Sequence, residues 1–181
     1  KLNEINGGSI EVIIAKTQSK MSSNVELIKK IKRDEKKITI KAYNNFSKRI
    51  KKVKEDLVGF VKNNYPIIGY GASTKGNIVL NYSKLNSSKI NYICDASKNK
   101  FGKYTPGSNI KIISKEKMRT LRPPYLLVLI WSFRSEVIKQ ELNYIKKGGN
   151  LIFHLPKFHI INKKNYKKFI NKNFSNLSYS Y

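Results

Sequence analysis

Between Pro66 and Pro156, short apolar runs alternate with amphipathic stretches in a regular rhythm. "IIGYG" leads into "STKGNIVLNYSKL", "INYIC" ends at Asp95, and "IKIIS" precedes "KEKMRTL". "YLLVLIW" then precedes "RSEVIKQELNYIKKGG", and "NLIFHLP" closes the series after the helix stop at Gly148 and Gly149. Consecutive apolar positions predict strands buried on both faces, and their alternation with helical patterns predicts a parallel sheet covered on both sides. The expected fold is therefore α/β: a Rossmann-like parallel sheet of about five strands with helices on both faces.

Upstream of Pro66 the period changes. Tyr43, Phe46, Ile50, Val53, Leu57 and Phe60 recur at three- and four-residue spacing, which predicts a long amphipathic helix before the sheet. Its charge run "SKRIKKVKED" reads as the solvated face. A Lys-rich helical stretch begins earlier, at Val25, after the polar break "KTQSKMSSN". The opening "SIEVIIA" is a strand candidate. The chain begins at Lys1 without an initiator Met, and the opening reads as a strand already in progress, so a piece of a longer protein is expected. The organisation expected is a terminal piece of a preceding domain at 1–20, a helical linker at 21–65, the α/β domain at 66–161 and a basic, aromatic tail at 162–181.

Composition adds two constraints. The 37 Lys+Arg against 11 Asp+Glu give a formal net charge of +26 over 181 residues, which raises a polyanion as partner. The lysines are spread along the whole chain and accompany a surplus of Asn and Ile, so gene composition is an alternative source of the charge. A single cysteine, Cys94, excludes a disulfide framework and a thiolate metal cluster, and points to a reducing, cytoplasmic setting. No apolar run approaches the roughly 18 residues of a membrane span.

In sheets of this kind ligands sit beyond the carboxyl ends of the strands. That directs attention to "GYGASTKGN" at 69–77, to Asp95 and to "WSF" at 131–133. The dinucleotide fingerprint G-x-G-x-x-G fits at Gly69 and Gly71 but finds Thr74 in its third place, with Gly76 two residues late. The NTPase loop G-x-x-x-x-G-K-[ST] fits at Gly71 and Gly76, yet Asn77 and Ile78 stand where Lys and Ser or Thr are needed. What remains is a tight turn that gathers the Ser73 and Thr74 hydroxyls, the Lys75 ammonium and a helix N-terminus, a combination suited to a diphosphate. The plainer alternative is a turn that only joins strand to helix, with Lys75 in solvent.

Three stretches in order, "IIGYGASTKGNIVLNY", "INYICDASKNKFGKYTPGSNIKIIS" and "PPYLLVLIWSF", resemble the C-terminal domain of SAM-dependent C-methyltransferases that act on nucleotide-linked deoxysugars. The resemblance runs from Gly7 to about Pro156. It implies a three-part enzyme with a zinc-binding N-terminal domain, a central domain that binds SAM and carries the acid–base residues, and this domain, which helps to bind the nucleotide-diphosphate sugar. By position it places Ser73, Thr74, Lys75 and Asn77, with Gly69 and Gly71, at the diphosphate. Tyr104 to Gly107 and Trp131 to Phe133 fall at neighbouring loops. The chemistry implied is deprotonation beside the sugar's keto group and attack of the enolate on the SAM methyl, with SAM bound outside this chain and no catalytic residue within it. The upstream methyltransferase domain is the implied protein partner.

Several residues carry two readings. Asp95, at the end of the second strand, either accepts from a ribose hydroxyl or caps the following turn. Trp131 either stacks on a base or serves core or interdomain packing. His154, in "FHLP", has no counterpart in the resemblance and is expected to be structural or exposed. In the tail, lysines interleave with Tyr166, Phe169 and Phe174, as in a groove for single-stranded nucleic acid. A basic α/β module binding nucleic acid or another polyanion is thus the alternative function, against a terminal helix whose Tyr166, Phe169 and Ile170 pack on the sheet.

Overall fold

Why the apolar runs become strands is visible in how they divide their side chains. Side chains alternate across a strand with a period of two, and here both sets are apolar. Ile68 and Tyr70, Leu126 and Val128, and Leu151 and Phe153 enter one core, while Ile67, Leu127, Leu129 and Ile152 enter another. A sheet with two apolar faces requires a cover on each. In the computed structural model, which describes residues 2–3 and 9–172, that cover is helical.

The strands are β1 (Leu2–Asn3), β2 (Ser9–Ile10), β3 (Ile67–Tyr70), β4 (Tyr92–Asp95), β5 (Ile112–Ser114), β6 (Tyr125–Val128), β7 (Asn150–Phe153) and β8 (His159–Ile161). The helices are α1 (Val25–Glu35), α2 (Ile40–Asn63), α3 (Thr74–Tyr82), α4 (Lys115–Leu121), α5 (Arg134–Gln140) and α6 (Leu142–Lys146). Six strands form one sheet in the order β5-β4-β3-β6-β7-β8. Pairings β3–β4, β3–β6, β4–β5 and β6–β7 are parallel, with Gly69 opposite both Ile93 and Leu127. This is the expected Rossmann-like α/β sheet, with one addition. Residues 159–161 return as an antiparallel edge on β7, with Phe153 opposite His159.

One core face holds Met118 of α4, Val137 and Ile138 of α5 and Ile145 of α6. The other holds Leu80 of α3 together with Leu57 and Val61 of α2. The compact unit around the sheet begins at Lys52, so residues 52–63 of α2 are one of its covering helices. Burial of Leu57 alone removes a full side chain from water, about 1.5–3 kcal/mol.

Residues 1–51 form a separate compact unit. In it β1 pairs antiparallel with β2. The Asn24 side chain caps α1 by accepting from the Leu27 N–H at 2.9 Å. The strand expected over 9–15 is realised only at Ser9–Ile10; Val12, Ile13 and Ile14 are 72%, 68% and 90% exposed and in no strand. A β-forming sequence becomes a strand only where a neighbour accepts its hydrogen bonds. Tyr43 and Phe46, the first members of the α2 stripe, are likewise exposed.

Candidate functional site

β3 and β6 are the central neighbours in the sheet, and the chain leaves them toward opposite flanks: after β3 it runs to β4, and after β6 to β7. The crevice beyond their carboxyl ends is the topological switch point, where open α/β sheets hold ligands. The turn after β3 opens this crevice. Gly71 has φ +92°, a left-handed conformation, and a Cβ there would stand 2.6 Å from Ile130 Cγ2. Glycine is required on both counts. Because Ile130 immediately precedes "WSF", the same contact brings the loop after β6 against the glycine turn.

Gly76 fills the packing role that the dinucleotide fingerprint gives its third glycine, two positions further on. A Cβ on it would meet the Leu129 Cβ at 2.8 Å, so its absence lets α3 lie close to the end of β6. Ser73 is the N-cap of α3, its hydroxyl oxygen accepting from the Gly76 N–H at 3.0 Å. The hydroxyl proton is left to donate elsewhere. Thr74 and Lys75 are exposed in the first turn, and Asn77 is half-buried behind them. Gly69, inside β3, closes against Ile93 of β4, where a Cβ would find Cγ1 at 2.8 Å.

Asp95 lies at the end of β4 with its side chain 12% exposed. One carboxylate oxygen accepts from the Ala72 N–H at 2.8 Å and from the Lys100 ammonium at 3.2 Å. The other accepts from the Ser97 N–H at 2.8 Å, an Asx turn into the 3₁₀ segment Lys98–Lys100. Lys100 Nζ also donates to the Ala72 carbonyl at 2.9 Å. Asp95 therefore engages the glycine turn and caps its own following turn at once. Lys100 stands in the stretch "INYICDASKNKFGKYTPGSNIKIIS" that carries part of the resemblance, but among so many lysines its sequence position gave no sign of this contact.

The "TPG" turn is held to α3 by Asn81, whose amide donates to the Pro106 carbonyl at 3.0 Å and to the Asn77 carbonyl at 2.8 Å. Gly107 (φ +74°) packs against that same amide. Thr105 and Ser108 are buried and bonded to each other at 2.7 Å, whereas Tyr104 bridges to Lys111 and is 55% exposed. Phe133 is exposed and Trp131 half-buried. The Trp131 ring meets His154 edge-on, with centroids 4.9 Å apart, and packs against the core.

Neither histidine is arranged as a base. His154 is fully buried with no hydrogen-bond partner on either ring nitrogen, and burial pushes its pKa down to about 4. His159 is stacked between Phe153 and Phe169, its pKa also lowered by burial. Burial pushes the Cys94 thiol up to about 12, which leaves it protonated and unreactive. Among the described residues no group of three His, Cys, Asp or Glu could hold a metal, and no helix is long and apolar enough to cross a membrane.

In the tail, Tyr166, Phe169 and Ile170 pack against the core around a 3₁₀ turn at Tyr166–Lys168; Phe174 lies outside the described residues. A cavity of about 860 Å³, lined by Arg119, Arg122, Glu141, Tyr144 and Lys147 among others, lies at the opposite edge, where the chain enters β6 and β7. None of the residues expected at the site lines it. Its buried Glu141 accepts from Arg119 at 2.7 Å and from the Tyr70 hydroxyl at 2.9 Å, an arrangement that braces α4 and α6 beneath the sheet.

Over residues 4–156 the chain matches the family described as the C-methyltransferase C-terminal domain. It belongs to that family. This C-methyltransferase C-terminal domain is also 34% identical over 109 residues to C-methyltransferase NovU of Streptomyces niveus. The aligned part takes in 60% of the chain and 26% of that protein, so the chain spans about a quarter of the length of the relative it matches.

Proposed function

We propose that this domain is the substrate-holding part of a SAM-dependent C-methyltransferase and grips the diphosphate of a nucleotide-linked sugar at residues 69–77. One observation carries the reading: a positive-φ glycine turn at the switch point runs into a capped helix of nine residues, with Ser73, Thr74 and Lys75 at its mouth. Such a helix end places N–H groups and a positive dipole where an anion would sit. Lys75 adds a point charge, and the loop around Trp131 to Phe133 supplies an apolar and aromatic neighbour for the rest of the nucleotide. Tyr104 and the turn it precedes would border the site on the α3 side.

The occupancy of Asp95 favours a site for SAM elsewhere. The acidic residue that would receive its ribose, Asp95, already accepts from Ala72, Ser97 and Lys100. We therefore assign SAM and the base that deprotonates the sugar to protein outside this chain, with residues 1–20 closing the preceding methyltransferase domain and 66–161 holding the sugar nucleotide. By itself the chain transfers no methyl group.

The test is calorimetric titration with a nucleoside-diphosphate sugar at one fixed salt concentration, since general positive charge binds diphosphates weakly everywhere. Lys75→Ala is expected to lose about 1.5–3 kcal/mol, the range for hydrogen bonds to charged groups. A loss no greater than that of the control Lys98→Ala would reduce the loop to a structural turn.

A further inference from the structure

The backbone of Ala72, in the middle of the glycine turn, is held at both its N–H and its carbonyl by one ion pair, between Asp95 at the end of β4 and Lys100 in the 3₁₀ segment that follows. Its N–H donates to Asp95 Oδ2 at 2.8 Å, and its carbonyl accepts from Lys100 Nζ at 2.9 Å, while Nζ and Oδ2 are themselves 3.2 Å apart. The preceding residue is fixed as well, Gly71 N–H donating to the Cys94 carbonyl at 2.8 Å. A turn built around a glycine at φ +92° has no intrinsic preference that would hold it in one shape, so these bonds set its direction.

The arrangement has an electrostatic consequence. Asp95 is an anion, 12% exposed, bonded to the residue that precedes the Ser73 cap. Standing alone so close to the mouth of α3, it would oppose any dianion placed there. The ammonium of Lys100 compensates it from a distance at which partly buried charges couple strongly. Lysine has three N–H donors, and the two contacts use two of them.

We propose that Lys100 is a positioning and specificity residue for this site: with Asp95 it clamps the Ala72 backbone, neutralises the carboxylate beside the anion position, and so sets the turn for a diphosphate. The inference rests on the reading of residues 69–77 as a diphosphate site. It predicts a preference that grows with ligand charge, because the compensated carboxylate matters more to a doubly charged diphosphate sugar than to a singly charged phosphate diester.

The experiment is titration of the chain with uridine and thymidine diphosphate glucose, and with the methyl esters of the corresponding monophosphates, which carry a single negative charge, alongside backbone amide spectra recorded without ligand. Lys100→Met is expected to weaken both diphosphate sugars about tenfold, the loss of one charge-assisted contact, and to weaken the singly charged methyl esters less. Lys100→Arg is expected to retain part of the affinity. Adding Asp95→Asn to Lys100→Met is expected to recover part of the loss, which a merely structural role would not produce. In the ligand-free Lys100→Met protein the Ala72 and Ser73 amide signals should move while the core amides of β6 and β7 stay in place. Lys100→Met binding within twofold of wild type, with Lys75→Ala weakened as expected, would overturn this proposal and leave the diphosphate reading standing. Wild type that binds neither sugar nucleotide would overturn that reading, and this assignment with it.

Discussion

Replacing Gly76 by alanine should destabilise the domain relative to the same replacement at Gly59, although alanine is the better helix former at both. Gly59 is exposed in α2, and a Cβ there meets nothing within 4 Å. Only the backbone term then acts, and Gly59→Ala should gain up to about 1 kcal/mol. Gly76 is buried in the first turn of α3, where a Cβ would stand 2.8 Å from the Leu129 Cβ and 3.1 Å from the Ser73 hydroxyl. Leu129 Cβ is not the free end of a flexible chain, so the helix itself must move off β6. Overpacking of this kind costs about 1–3 kcal/mol. The propensity terms being similar, that cost is the separation expected between the two variants in urea unfolding with unchanged m-value. Equal stabilisation by both substitutions would refute the argument that close approach of α3 to the sheet is what demands glycine at 76.

Two further predictions test other parts of the account. Leu57→Ala should cost about 2–5 kcal/mol, as for a fully buried leucine, while Phe46→Ala in the exposed part of the same helix should cost within about 0.5 kcal/mol; equal effects would deny that residues 52–63 cover the sheet. Acid should destabilise the chain through His154, whose folded pKa of about 4 lies below the ordinary 6.5. The unfolded state then binds more protons between those values, so stability is full above pH 6.5 and falls by about 3 kcal/mol as pH drops toward 4. His159, lowered in the same direction, adds to the slope. A His154→Gln variant should show a shallower loss of melting temperature between pH 7 and 4.5, and an unchanged slope would contradict the burial argument.

The sheet could be read in the sequence because each run is apolar at both odd and even positions, as with Leu126, Leu127, Val128 and Leu129, and runs this short alternating with helical patterns fit a doubly covered parallel sheet. The edge strand His159–Ile161 was hidden because three residues after a proline carry too little pattern to distinguish a strand from a loop. "SIEVIIA" misled in the opposite sense: its β-branched residues favour a strand wherever a partner strand exists, and among the described residues the strand ends at Ile10. At the candidate site, the glycines at 69, 71 and 76 were legible because each marks a close approach or a positive φ. The two readings of Asp95 could not be separated by sequence, since the outcome depends on where the Ala72 N–H points. Lys100 could not be singled out for a related reason. Asp95 is near in sequence to several other lysines, and the second partner is a backbone carbonyl 28 residues earlier, which leaves no trace in residue identity.

The central claim, that residues 69–77 hold the diphosphate of a nucleotide sugar, is tested most directly by following backbone amide signals as a nucleoside-diphosphate sugar is added at physiological salt. The account predicts saturable shifts concentrated at Gly71 to Asn77, with smaller ones at Asp95 to Lys100 and Trp131 to Phe133. Shifts scattered over the lysine-rich surfaces without saturation, or gathered at the cavity lined by Arg119, Arg122 and Lys147, would contradict it.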